Sequence, residues 1–128
     1  MGIIRTKTEL EEAKVKINEF RERLKKVQVT GDRFFNPAFH VALDLENMLY
    51  VAGCIAGAAL IREESRGGHT RDDFPKMNAQ WRQVNLLSHL DKEEKIEVEK
   101  VKLPEMPSEL LNLFEKRSEE HTSELQSH

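Results

Sequence analysis

The sequence predicts a mainly α fold: an antiparallel helical hairpin followed by an extended segment and a small β-hairpin. Three observations carry this reading. Leu10, Ala13, Ile17, Phe20, Leu24 and Val27 recur every three or four residues, the stripe of an amphipathic helix. A second stretch, from Pro37 to Glu64, becomes apolar on every face in its latter half. Lys95 to Leu103 then alternates, with Ile96, Val98, Val101 and Leu103 set between charged residues. At 128 residues there is room for one small domain with a modest core.

The first helix is expected over Lys7 to Val27. Thr6 and Glu9 have capping-box spacing, so the threonine oxygen can accept from an early N–H while the glutamate reaches back. Glu11, Glu12, Lys14, Lys16, Glu19 and Lys26 fill the solvated faces. Gln28 to Asn36 reads as a loop around the turn signal Thr30-Gly31-Asp32. Phe34 and Phe35 are expected to pin that loop to the core. Asn36 can cap the next helix, with Pro37 at its first position, where the missing N–H costs nothing.

The second helix is expected over Pro37 to Glu64. Its first half sets Phe39, Leu43, Met48 and Tyr50 against His40, Asp44, Glu46 and Asn47. Its second half carries the small residues Ala52, Gly53, Ala56, Gly57, Ala58 and Ala59, which allow close approach by other elements. A helix apolar on every face needs neighbours on every face. One other long helix can cover only one side, so this helix is expected to have partners beyond this stretch of chain. Two strands, Gln83 to His89 and Lys95 to Lys102, should pair through the polar turn Asp91-Lys92-Glu93-Glu94. An isolated hairpin is marginal in water, so it should lie on something, and Trp81 is expected to pack beneath it. Pro104 and Pro107 end the hairpin, and Ser108 to Phe114 can form a helical turn.

Composition excludes several classes. The formal charge is −3 and no basic patch is interleaved with aromatics, so no nucleic-acid partner is expected. Cys54 is the single cysteine, in an apolar run, and reads as a buried, inert thiol. Met1 to Thr8 lacks the apolar core of a signal peptide. Met48 to Ile61 is uncharged over fourteen residues, short of the roughly 18 to 20 that cross a bilayer, so no direct membrane insertion is expected. Arg117 to His128 looks like the translated read of a sequencing-library adapter, which divides the chain into a domain over residues 1–116 and a non-native tail over 117–128.

The densest chemistry lies between Ile61 and Pro75. Gly67 and Gly68 can take positive φ and end the helix. Arg62, Arg66 and Arg71 would sit near the negative end of its dipole, where cations gain a few tenths to about 1 kcal/mol. Arg62 and Arg66 would share a face, with planar forks suited to carboxylates or backbone carbonyls. Ser65, His69 and Asp73 lack the strand-to-helix elbow of a nucleophilic triad. His69, Asp72 and Asp73 lack metal-ligand spacing. His40 and His89 stand alone in the sequence and default to surface or satisfied positions.

This stretch, Arg62-Glu63-Glu64-Ser65-Arg66-Gly67-Gly68-His69-Thr70-Arg71-Asp72-Asp73-Phe74-Pro75, resembles a segment near the C-terminus of succinate dehydrogenase and fumarate reductase flavoprotein subunits. Gly2-Ile3-Ile4-Arg5, Asn36-Pro37-Ala38-Phe39-His40, Leu45-Glu46-Asn47-Met48-Leu49 and Lys102-Leu103-Pro104-Glu105-Met106-Pro107 are similar to neighbouring segments of that family, in the same order. L-aspartate oxidases share the central stretch and are the close alternative; a free-standing helical interaction module is the alternative from another class. The resemblance implies the truncated C-terminal domain of such a subunit, drawn from a three-helix, spectrin-repeat-like bundle whose first helix is missing. It implies a parent that oxidises succinate or reduces fumarate by hydride transfer through FAD and passes electrons to an iron–sulfur subunit. The flavin motif and catalytic residues of the family have no matching positions here, so no catalytic, cofactor-binding or metal residues and no cofactor are assigned to this chain. The expected partners are the upstream flavin domain and the iron–sulfur subunit, and the expected location is cytoplasmic, membrane-associated through the parent complex. Arg62, Glu63, Ser65, Arg66, Gly67, His69, Arg71 and Asp73 are the residues expected at the domain interface.

Overall fold

In the computed structural model, residues 2–110 are described. The helical turn expected over Ser108 to Phe114 begins at Ser108–Leu110 and otherwise lies outside the described residues, as does the tail from Arg117. A two-residue strand β1 (Ile4–Arg5) leads into helix α1 (Lys7–Leu24). Helix α2 (Pro37–Ile61) returns antiparallel to it, followed by a short strand β2 (Thr70–Arg71), a 3-10 turn (Ala79–Gln83) and the hairpin strands β3 (Val84–Leu90) and β4 (Ile96–Lys102). β1 and β2 pair in parallel, Ile4 with Thr70 and Arg5 with Arg71. β3 and β4 pair antiparallel from Val84–Lys102 to Leu90–Ile96. The two-helix, one-hairpin architecture agrees with the sequence reading.

The caps explain where both helices start. The Thr6 hydroxyl accepts from Glu9 N at 3.4 Å, and Thr6 N donates to Glu9 Oε2 at 2.9 Å, which closes the capping box. Asn36 Oδ1 accepts from Phe39 N at 3.4 Å, with Pro37 as the first helical residue. α1 stops at Leu24 rather than Val27, because its last turn tightens: Lys26 N donates to Arg23 O and Val27 N to Leu24 O. Along the stripe, Leu10 is fully buried and Ala13, Ile17 and Leu24 are half-buried. Phe20 and Val27 depart from the pattern and are about half exposed; the Arg23 guanidinium lies 5.5 Å from the Phe20 ring.

Phe34 and Phe35 do not pin the loop. They are 79% and 101% exposed. Polar side chains shape the loop instead: Asn36 Nδ2 donates to Thr30 O and Asp32 O at 3.1 and 2.9 Å, and Asp32 Oδ1 accepts from Arg33 N at 2.6 Å. Phe35 sits at φ 54°, left-handed backbone that costs a bulky residue roughly 1–2 kcal/mol. Phe35→Gly is therefore expected to leave stability unchanged or raise it by up to about 1 kcal/mol in urea melts, whereas an anchoring role would lower it.

Two of the small residues of α2 make room for the hairpin. Gly53 and Gly57 are buried beneath the hairpin. A Cβ on Gly53 would overlap the Ile96 Cδ1 methyl, and one on Gly57 would lie 3.2 Å from Val98 Cγ2. The chain's own hairpin thus occupies part of the approach that the sequence alone leaves to absent neighbours. The remaining face stays open: Val41, Met48, Val51 and Ile55 are 64%, 64%, 58% and 49% exposed. Cys54 is half-buried rather than buried. By length and composition α2 could cross a membrane, although the shorter uncharged run within it could not. Trp81, 6% exposed, lies beside the hairpin with Lys100 Nζ of β4 4.0 Å from its ring centroid, as its packing role requires. His40 is exposed, and His89 faces Glu97 across the strands at 3.5 Å.

Candidate functional site

The charged stretch folds inward on itself. α2 ends at Ile61, before the expected Glu64, and Arg62 turns to extended backbone at φ −78°, ψ 95° while its N–H still bonds Ala58 O. That turn drives Glu64 into the protein, where it is fully buried. Its Oε1 accepts from Arg62 Nε at 2.9 Å and Arg66 Nε at 3.0 Å. Its Oε2 accepts from Arg66 Nη2 at 3.0 Å and from the Asn78 backbone N–H at 2.9 Å. Arg66 therefore grips the carboxylate with two parallel bonds. That grip, helped by the Asn78 N–H and Arg62 and opposed by burial, holds the Glu64 carboxyl down at about 2. Arg62 also donates from Nη2 to Trp81 O at 3.3 Å, which ties the knot to the base of the hairpin.

A second clasp joins the two helices. Arg71 is fully buried. Its Nη1 donates to Ala59 O at 2.8 Å and Leu60 O at 3.1 Å, satisfying carbonyls that the end of α2 leaves unpaired. Its Nε and Nη2 donate to Asp73 Oδ1 and Oδ2 at 2.7 and 2.6 Å. Asp73 Oδ2 also accepts from Lys7 N, in the first turn of α1, at 3.0 Å. The order is α1 N-terminus, carboxylate, guanidinium, α2 C-terminus, so each charge meets the helix end of opposite sign. The Arg71 bonds and the Lys7 N–H hold the Asp73 carboxyl at about 2 despite partial burial.

Ser65 and His69 serve the same corner. Ser65 Oγ accepts from Arg71 N at 2.9 Å and donates to Phe74 O at 2.9 Å. His69 Nε2 donates to Arg62 O at 3.1 Å, while Nδ1 lies 3.5 Å from Arg5 Nη1. Ser65, His69 and Asp73 thus make no bond to one another; Ser65 and Asp73 both bond Arg71, one at its backbone N–H and the other at its guanidinium. Gly67 and Gly68 do not end the helix; they turn the chain between Arg66 and His69, whose backbones bond at 2.8 and 3.1 Å, and of the pair only Gly67 has positive φ, 59°. Arg62 and Arg66 do not share a helical face but converge on Glu64 from outside the helix. Glu63 and Gly67 are exposed. Among the residues expected at an interface, six are bound inward and two face out. The sequence reading omits Glu64, although an acid flanked at two-residue spacing by Arg62 and Arg66 is the available signal once the chain is extended there.

The guanidiniums of Arg62, Arg66 and Arg71 are committed to Glu64, Asp73 and the end of α2. Among the described residues no group of three or more His, Cys, Asp or Glu is placed to hold a metal. The chemistry available is that of a charged clasp fixing the geometry of two helices and a hairpin.

The chain that carries this clasped helical pair matches, over residues 1–118, the family model described as fumarate reductase flavoprotein C-term, a class of C-terminal module. The chain belongs to that family, as the resemblance read from the sequence implied. It is 40% identical over 88 residues to a chain of the CoM/CoB fumarate reductase of Methanothermobacter marburgensis, covering 69% of this chain and 16% of the relative. It is 38% identical over 90 residues to the fumarate reductase flavoprotein subunit of Helicobacter pylori, covering 69% and 13%. Among solved structures it is similar to Mycobacterium smegmatis Sdh1 in complex with UQ1, with TM-score 0.77 and 43% identity, covering 89% of this chain and 20% of that one. The FrdA chain of E. coli quinol fumarate reductase aligns with TM-score 0.73 and 30% identity over 83% of this chain and 19% of its own. The chain therefore spans one fifth or less of the proteins it matches.

Proposed function

We propose that this chain is the C-terminal helical module of a flavoprotein subunit of succinate dehydrogenase or fumarate reductase, and that it packs against the flavin-bearing remainder. The parent would oxidise succinate or reduce fumarate by hydride transfer through FAD and pass electrons to an iron–sulfur partner, at a membrane reached through that complex rather than through α2. The chain itself supplies no flavin site and should neither hold FAD nor turn over substrate.

The open face of α2 carries this reading. Val41, Leu45, Met48 and Ile55 follow heptad spacing, and all four are exposed. Such a seam fits a further helix, and the bundle reading assigns that place to the first helix of the domain. An apolar face of this extent marks an interaction surface. The charged corner would hold the module's shape while its outer rim, Glu63 and Gly67 included, meets the neighbouring domain.

The test is assembly in trans. Coexpressed with the matched chain of Mycobacterium smegmatis Sdh1, cut to remove the fifth that this chain covers, the chain is expected to co-purify in a yellow, flavin-containing complex. Met48→Asp should weaken that association at least tenfold, since it places an unpaired charge in the seam. A monomeric chain that ignores the truncated partner, or one that carries stoichiometric flavin absorbance alone, would overturn the reading.

A further inference from the structure

A cleft of about 610 Å³ opens between the β1 strap, the last turns of α2 and the hairpin. Its polar wall is Arg5, Arg62, His69 and Asn85; its apolar wall includes Ile55, Leu87 and Val101. Among the described residues no carboxylate lines it. The cations at its mouth are not equivalent. The Arg62 guanidinium is spent on Glu64 and on Trp81 O. Arg5 donates from Nε to Gly2 O at 3.0 Å and lies 3.5 Å from His69 through Nη1. Among the described residues Arg5 has no carboxylate partner, whereas the corner's other three arginines, Arg62, Arg66 and Arg71, each have one.

We propose that this cleft is a socket for a glutamate side chain presented by the upstream part of the parent protein, with the carboxylate on Arg5 and the methylenes against the apolar wall. This rests on the docking read above. A planar guanidinium with unspent donors suits a carboxylate. The apolar wall suits a short aliphatic stem and disfavours a second charge, which would have to be desolvated. His69 is a positioning residue here: Nε2 donates to the end of α2, leaving Nδ1 to face Arg5 and orient its fork.

Butyrate carries the same aliphatic stem and carboxylate as a glutamate side chain, so it is the probe. Titrated into the isotope-labelled full chain, it should give saturable shifts at Arg5 Nε–H and the His69 ring. Half-saturation should fall at a several-fold lower concentration than for succinate. Sodium chloride at matched ionic strength should not reproduce the shifts. Arg5→Gln should abolish them, and Arg5→Lys, which keeps the charge and the strap, should retain a weakened response. Shifts that track ionic strength, or that survive Arg5→Gln, would overturn the socket. Tighter binding of succinate would overturn it too, by assigning the cleft to a free dicarboxylate. The titration needs no partner, so its failure leaves assembly in trans standing as a separate result.

Discussion

Replacing Glu64 with Gln is expected to destabilise the chain by about 3 kcal/mol and to lower its melting temperature by roughly 10–20 °C. The substitution keeps the volume but removes the charge that Arg62 and Arg66 share inside the corner. Breaking a buried pair from one side costs about 3–5 kcal/mol, because the remaining charge is left uncompensated. Both guanidiniums retain some contact with solvent, at 28% and 32% exposure, so the lower end applies. The same carboxylate sets an acid limit. Its pKa is about 2 in the folded chain against an ordinary 4.5, so its contribution is complete above about pH 4.5 and disappears as pH falls towards 2. Asp73, lowered from 3.8 to about 2, loses its contribution in an overlapping window. Urea midpoints measured between pH 7 and pH 2 should fall steeply below about pH 4.5 in the native chain. The fall should be shallower in Glu64→Gln. Identical pH profiles would show that the buried carboxylate is not the titrating group.

Arg71→Met is expected to cost about 4 kcal/mol, for a different reason. It strips the donors from the Ala59 and Leu60 carbonyls and leaves Asp73 to the Lys7 N–H alone. Arg71→Lys keeps the charge but cannot span Asp73 and the helix end together, so about 2 kcal/mol should still be lost. A double-mutant cycle with Asp73→Asn should return a coupling above about 1 kcal/mol. Additive effects would mean that Arg71 acts only on the carbonyls. Hydrogen exchange supplies an independent check, since the Lys7 amide should lose protection in Asp73→Asn while the middle of α2 keeps it.

The helices are legible in the sequence because their signals are local. Thr6 with Glu9, and Asn36 with Pro37, determine both helix starts within a few residues. The hairpin is legible for the same reason, its period of two running from Ile96 to Val98 around a polar turn. The arrangement of the charged corner is harder to read. Arg62-Glu63-Glu64 has good helical propensity, and only distant groups, the Asn78 N–H and the Trp81 carbonyl among them, make it favourable to break the helix at Ile61 and bury Glu64. Residues whose type suggests outward-facing forks consequently turn in. Arg5 gives no sign in the sequence of being a site residue, because His69 lies 64 positions further along the chain. Phe34 and Phe35 are misplaced by hydrophobicity alone; the backbone there follows Asp32 and Asn36, which hold the rings out whatever their apolarity.

The Arg71–Asp73 clasp fastens the pair of helices at one end. At the opposite end, α1 and the hairpin turn meet through Arg21 and the Glu94 carbonyl at 3.0 Å, an exposed bond beside a long loop. The two rods are therefore riveted at the strap by a buried ion pair and held at the far end by half-buried contacts, among them the Arg21 guanidinium 4.5 Å from the centroid of the Tyr50 ring. Strain from outside would splay them from the loop inward, and the riveted end would be the last to let go.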